Sequence, residues 1–146
     1  MFNTILVALD GSDHARHALK VAVGLAERCG AKLLLCHAIE PHPLRSDLSR
    51  IASEAAEEMY ERIGGEVAER VLGDAEQAAR EAGIAEIGRV VQEGSAAPAI
   101  VAAADHEGAD LIVVGTRGLT GLHELALGSV AHNVTAMAHC PVVVVK

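Results

Sequence analysis

Two short stretches of this chain combine residue types that can do chemistry. Asp10-Gly11-Ser12-Asp13 sets carboxylates and a hydroxyl around a glycine, and Gly115-Thr116-Arg117-Gly118 is followed, after nine intervening residues, by Gly128-Ser129. A loop that wraps phosphate oxygens with main-chain N–H groups needs close approach and often positive φ, which glycine supplies cheaply. A helix starting near Ser129 would add unpaired N–H groups and a positive dipole end. The Ser129 hydroxyl can then serve as helix cap or as phosphate donor, and Arg117 is either the nearby cation or a solvent-facing side chain. Asp10 can accept hydrogen bonds from ribose hydroxyls, or play the commoner part of Asp in a strand-to-helix turn, as turn residue or helix cap. The glycines, Gly121 included, are equally open to a reading as ordinary turn and cap residues.

These stretches must be positioned by regular elements, and the apolar pattern predicts them. Ile5–Leu9, Lys32–Cys36, Leu111–Val114 and Val142–Val145 are apolar runs without polar alternation, with a weaker fifth at Gly88–Val91. Such runs are expected of strands covered on both faces in a parallel sheet. Between them, Ala15, Ala18, Leu19, Ala22, Val23, Ala26 and Cys29 mark a helix that Ser12-Asp13 opens and Gly30 ends. The gap from Ser46 to Gly83 is helical too, with Leu48, Ile51, Ala55, Met59, Ile63, Val67, Val71, Ala75, Ala78 and Ala82 along one side. Gly64-Gly65 predicts a break or kink there, each glycine costing about 1 kcal/mol against alanine. Ile39–Arg45, with Pro41 and Pro43, reads as a loop. Ser95 is expected to cap a third helix that closes at Gly108, and a fourth runs from Ser129 to about Ala138, where Pro141 forbids continuation.

The order β-α-β-α-β-α-β-α-β predicts a doubly wound, Rossmann-like α/β fold, a parallel sheet flanked by helices, spanning residues 1–146 as one domain. In such sheets ligands bind outside the carboxyl ends of the strands, where strand order reverses. Both chemistry-bearing stretches follow strands directly: Asp10 after the first, Gly115 after the fourth.

Composition narrows the function. The 146 residues carry 20 acidic and 12 basic side chains, a net charge of −8 that repels nucleic acids and anionic membranes. Phe2 and Tyr60 are the only aromatic residues, so neither a base-stacking nucleic-acid reader nor a flavin site is expected. Cys29, Cys36 and Cys140 make an odd count without a short-spaced pair, no apolar run approaches the roughly 20 residues that cross a bilayer, and no leader is apparent. A reduced, cytoplasmic protein is the expectation, with no nucleic acid and no membrane insertion. The eight histidines, His14 and His17 among them, lack a third ligand at metal-binding spacing and are expected at the surface or in caps. No Gly-Lys-Ser or Gly-Lys-Thr occurs, the turn after the first strand lacks Gly-x-Gly-x-x-Gly, and Gln92-Glu93-Gly94 offers no phosphoacceptor Asp after the third strand.

With these residues laid out, the chain resembles the universal stress protein family over its full length. The resemblance rests on Ile5-Leu6-Val7-Ala8-Leu9-Asp10-Gly11-Ser12, on Gly94 to Ile100, on Leu111-Ile112-Val113-Val114-Gly115-Thr116-Arg117-Gly118 through Leu127-Gly128-Ser129-Val130, and on Cys140-Pro141-Val142-Val143-Val144-Val145. Gly115, Gly118, Gly128 and Ser129 match the spacing that marks the family's ATP-binding subgroup. The resemblance implies a five-stranded sheet of order 3-2-1-4-5 with ATP, alone or with Mg2+, beside strands one and four. It implies Asp10 on the ribose or adenine, Ala8 and Leu9 lining the base pocket, the Ala38 main chain at the adenine edge, and Val114 on the base or sugar. Gly115, Arg117, Gly118, Gly128, Ser129 and Val130 would surround the phosphates. The chain has Ala8 where many ATP-binding members have proline. The resemblance also implies a homodimer through Val142–Val145, which would hide an apolar edge.

The expected function is a nucleotide-dependent regulatory or binding module of the stress response. No Ser-His-Asp arrangement or paired carboxylate site stands near the glycine loop, so an enzyme is not expected. Two alternatives remain: a slow Mg-dependent ATPase using His123 or Glu124 to activate water, and a nucleotide-free protein-interaction module.

Overall fold

The computed structural model describes residues 1–41, 54–117 and 127–146. Strands β1 (Thr4–Ala8), β2 (Lys32–Ile39), β3 (Ile87–Glu93), β4 (Leu111–Gly115) and β5 (Val142–Val145) form one sheet of order β3-β2-β1-β4-β5, parallel throughout. Helices α1 (Asp13–Cys29), α2 (Glu54–Glu81), α3 (Ala96–Glu107) and α4 (Ser129–Met137) make the crossovers. The expected architecture is therefore observed, and β1 lies at its reversal point, with β2 on one side and β4 on the other.

The apolar runs are continuous because both faces of the central strands are covered. Ile5, Val7, Leu9, Leu33, Leu35, Leu111 and Val113 pack with the buried faces of α1 and α2. Leu6, Leu34, Cys36, Ile112 and Val114 turn the other way, onto α3 and α4. Burial pushes the Cys36 thiol up to about 12, so this sulfur is an inert apolar filler. At the sheet's edge the pattern weakens. β3 alternates between half-buried and exposed residues, which is why only part of it was legible as an apolar run.

Two expectations about α2 are corrected. The helix runs unbroken through Gly64-Gly65. A Cβ at Gly64 would stand 3.2 Å from Ile39 Cγ2, so the missing side chain lets the helix lie close against the end of β2. Burial of Ala68, Leu72, Ala75 and Ala79, and ion pairs such as Glu76 with Arg80, offset the propensity cost. The buried stripe is this one, displaced about one position from the predicted face, of which Met59, Ile63 and Val67 are exposed. Leu48 and Ile51 of that face, and Pro43 and Arg45 of the predicted loop, lie outside the described residues.

The N-terminal cap of α3 also differs. Ser95 makes no side-chain cap bond; Glu40 Oε1, from the end of β2, accepts from Ala96 N at 3.1 Å. Gly30 and Gly108 end α1 and α3 as expected.

At the opposite end of the sheet, Asp110 anchors the start of β1. Its carboxylate accepts from Asn3 N at 2.9 Å and from Thr4 N at 3.1 Å. Desolvation pushes its pKa up, but the bonds from Asn3 and Thr4 outweigh it and hold the carboxyl below its ordinary value. A carboxyl depressed in the folded state stabilises above its unfolded pKa, about 4, and loses that contribution as pH falls through the folded value. Thermal midpoints followed from roughly pH 5 to 2 should fall more steeply in the wild type than in Asp110→Asn. Parallel curves for the two proteins would remove this anchor from the acid response.

Candidate functional site

The carboxyl ends of β1 and β4 are adjacent, in register from Ile5 opposite Leu111 to Val7 opposite Val113. Each continues into one of the two stretches singled out by residue type. After β1, Leu9 N donates to Cys36 O at 2.8 Å, extending the β2 ladder by one rung. Asp10 Oδ1 then accepts from Ser12 N at 2.9 Å, and Ser12 Oγ accepts from Ala15 N at 3.2 Å. The turn reading of Asp10 is thus realised with one carboxylate oxygen, and Ser12, not Asp10, caps α1.

After β4, the glycines have a reason that spacing alone did not reveal. A Cβ on Gly115 would lie 2.9 Å from the carbonyl carbon, Cβ and oxygen of His14. A Cβ on Gly128 would lie 2.6 Å from Thr116 O and 3.3 Å from Arg117 Cα. Neither glycine is in the positive-φ set, so both are required by close approach rather than by backbone conformation. Gly115 lets the end of β4 touch the first turn of α1. Gly128 lets the start of α4 fold back on the strand end, where its N–H donates to Thr116 O at 2.7 Å. Thr116 N in turn donates to Val145 O at 2.8 Å, tying this turn to β5.

That fold-back brings the N-terminus of α4 to the end of β4. Gly128 occupies the cap position, and among the described residues no side-chain cap bond is made there. Ser129 is the first helical residue and not the cap, which corrects one of its two readings. Arg117 Nε is buried and without a hydrogen-bond partner among the described residues. A buried, unpaired donor on a cation is costly, and it is the type of group that an anionic oxygen would satisfy.

The remaining expected residues divide between the two sheet faces. Ala8, Val114 and Val130 belong to the α3–α4 side, and Ala38, two residues beyond Cys36, shares that face by strand alternation. Leu9 turns its side chain into the opposite core, so it offers the crevice only its main chain. Gly118, Gly121, His123 and Glu124 lie outside the described residues.

Sequence reasoning missed His37. Expected at the surface or in a cap, it is buried within β2, and its Nδ1 lies 2.7 Å from Leu9 O. A polar residue interrupting an otherwise apolar strand run was the available signal. His14 and His17 meet edge to face, and no metal-binding group of His, Cys, Asp or Glu occurs among the described residues. Nor, among them, is any helix long and apolar enough to cross a membrane.

Comparison with known proteins follows from this geometry. The model of the universal stress protein family matches residues 1–146. A Thermus aquaticus protein described as a universal stress protein in the QAH/OAS sulfhydrylase 3′ region is 42% identical over 150 residues, covering 100% of both chains. Universal stress protein UspA from Lactobacillus plantarum superposes with a TM-score of 0.81 at 26% identity, over 99% of this chain and 97% of that one. A universal stress protein solved in complex with cAMP gives a TM-score of 0.74 at 30% identity, over 99% and 97% of the two chains.

Proposed function

The chain belongs to the universal stress protein family, and from that premise we propose that it is an ATP-binding regulatory module of the stress response, not an enzyme. One observation carries the reading: the Nε of Arg117, buried and without a partner among the described residues, belongs to a residue whose Cα would stand 3.3 Å from a Cβ on Gly128, the cap position of α4, at the strand-order reversal. A triphosphate oxygen supplies the acceptor that Arg117 lacks and meets the first N–H groups of α4, where the helix dipole favours negative charge. In this reading Gly115, Gly118, Gly128, Ser129 and Val130 complete the phosphate cradle. The second oxygen of Asp10 receives a ribose hydroxyl, Ala8 and Val114 pack against base and sugar, and the main chains of Leu9 and Ala38 border the base. Mg2+ would arrive with the triphosphate, since it prefers phosphate oxygens and water to an all-protein cage. The relative that holds cAMP supports a nucleotide here and makes cyclic AMP the sharpest competitor to ATP.

A homodimer through β5 belongs to the same reading. All of its valines are only half buried, and among the described residues it pairs on one side alone, with β4. An apolar edge of this kind is stabilised by a twofold mate; a monomer in sedimentation at micromolar concentration would remove it. The unpaired thiols Cys29, Cys36 and Cys140 suit a reducing cytoplasm.

The test is thermal unfolding of nucleotide-stripped protein against ATP, ADP, AMP, cyclic AMP, NAD and FMN, with and without Mg2+. Ligand at 100 times its dissociation constant adds about 2.7 kcal/mol. ATP is expected to give the largest shift. A shift confined to cyclic AMP would reassign the ligand, and no shift with any nucleotide would make the glycine turn purely structural.

A further inference from the structure

We infer that His37 is a positioning residue of the nucleotide site, holding the Leu9–Asp10 turn toward the ribose; this rests on the reading of the crevice as an ATP site. The argument begins with the ladder between β1 and β2. In a parallel pair, alternate residues of one strand bond to a given neighbour. Leu9 N donates to Cys36 O, whereas Gly94 N donates to Ile39 O from the β3 side. Cys36 and Ala38 therefore direct their N–H and C=O groups toward β1, and His37 and Ile39 direct theirs toward β3.

The next rung would run from Ala38 N to Leu9 O. His37 takes that carbonyl instead, through its side chain, at 2.7 Å. In this arrangement Nδ1–H donates, which selects the tautomer. The effect is to end the ladder one rung early while keeping Leu9 anchored. Ala38's main-chain groups then face the crevice beyond the end of β1, and Asp10 leaves a fixed carbonyl with its Oδ1 already held by Ser12 N. The ring is buried on the α1–α2 face beside Leu35, the same face into which Leu9 packs. No ordinary core demand calls for an imidazole there; leucine would fill the volume without the bond.

A purely structural histidine would affect every nucleotide alike. One acting through Asp10 would affect those ligands that present ribose hydroxyls. The experiment measures affinities of ATP and 2′,3′-dideoxy-ATP for the wild type, Asp10→Ala, His37→Leu, His37→Gln and His37→Asn, with melting temperatures without ligand to verify folding. The wild type should prefer ATP, and Asp10→Ala should abolish the preference. His37→Leu should weaken ATP binding by about tenfold, the order expected for one hydrogen bond at a charged site, and leave dideoxy-ATP nearly unchanged. His37→Gln, whose donor sits one bond farther out, should behave like His37→Leu if the latter fails to fold. His37→Asn, whose amide overlays the Nδ1–H, should restore the preference. A wild type that binds no nucleotide overturns the underlying ATP reading. A wild type that binds both ligands equally overturns the Asp10 contact and this role with it. A wild-type preference retained in folded His37→Leu or His37→Gln overturns the role of His37 alone.

Discussion

Gly128→Ala is expected to destabilise the protein by about 3 kcal/mol, at the upper end for one forced methyl, and to lower its melting temperature by about 10 °C at this chain length. The added carbon would stand 2.6 Å from Thr116 O and 3.3 Å from Arg117 Cα, both main-chain atoms that no rotamer change can move aside. Relief requires the start of α4 to retreat from β4, which breaks the Gly128 N–Thr116 O bond of 2.7 Å. The same retreat carries the N–H groups of α4 away from Arg117, so the ATP-dependent stabilisation should vanish with it. Gly65→Ala is the internal contrast: nothing lies within 4 Å of its added carbon, and the site is helical. It should gain about 0.5–1 kcal/mol from propensity. Differential scanning calorimetry of both variants with and without ATP decides the matter. A Gly128→Ala protein as stable and as ATP-responsive as the wild type would show that the fold-back tolerates a side chain.

Ile112→Ala should have the other large effect, about 4 kcal/mol in the range for large-to-small core changes. Ile112 is fully buried in β4 on the α3–α4 face, where Leu6, Ile100 and Val134 belong to the same cluster. A cavity in the strand between β1 and β5 has little surrounding freedom to collapse, which places the cost toward the top of the range. Ile63→Ala, removing the same atoms from a side chain 48% exposed on α2, should cost less than about 0.5 kcal/mol. Urea denaturation gives both values, provided the slopes agree so that midpoints report stability. Equal losses in the two variants would mean that the exposed stripe of α2 is covered in solution. Because β4 delivers Val114 and Gly115 to the crevice, Ile112→Ala is also expected to weaken nucleotide binding in proportion to lost native population, not beyond it.

Much of the molecule was legible before any coordinates. The strands announced themselves because a parallel strand covered on both faces needs no polar alternation, and Ile5–Leu9 and Leu111–Val114 have none. The β/α alternation then restricted topology, and the resemblance added the strand order that is observed. Asp10 and the glycines after β4 could be picked out because their residue types are unusual at a strand's carboxyl end.

Other features were decided by partners distant in sequence. Periodicity found α2 but selected the neighbouring stripe, since 67, 71 and 78 and 68, 72 and 79 are both apolar. Only the seating of the helix on the sheet decides between them, burying Ala68, Leu72 and Ala79. Local propensity predicted a break at Gly64-Gly65, and contact with Ile39 and burial farther along the helix overrode it. Ser95 has cap chemistry, yet Glu40 reaches the same N-terminus from the end of β2. Glycine at 115 and 128 was conspicuous as a residue type, but its reason lies in His14 and Thr116, which the fold brings within touching distance. His37 and Leu9 are likewise joined only when β2 lies beside β1. The amino-acid sequence by itself determined the elements, their order and the residue types available at the crevice, because hydrophobic period and turn chemistry are local. Tertiary structure decided which face is buried, which group caps, and which glycine or histidine is indispensable, because those outcomes depend on distances between segments far apart along the chain.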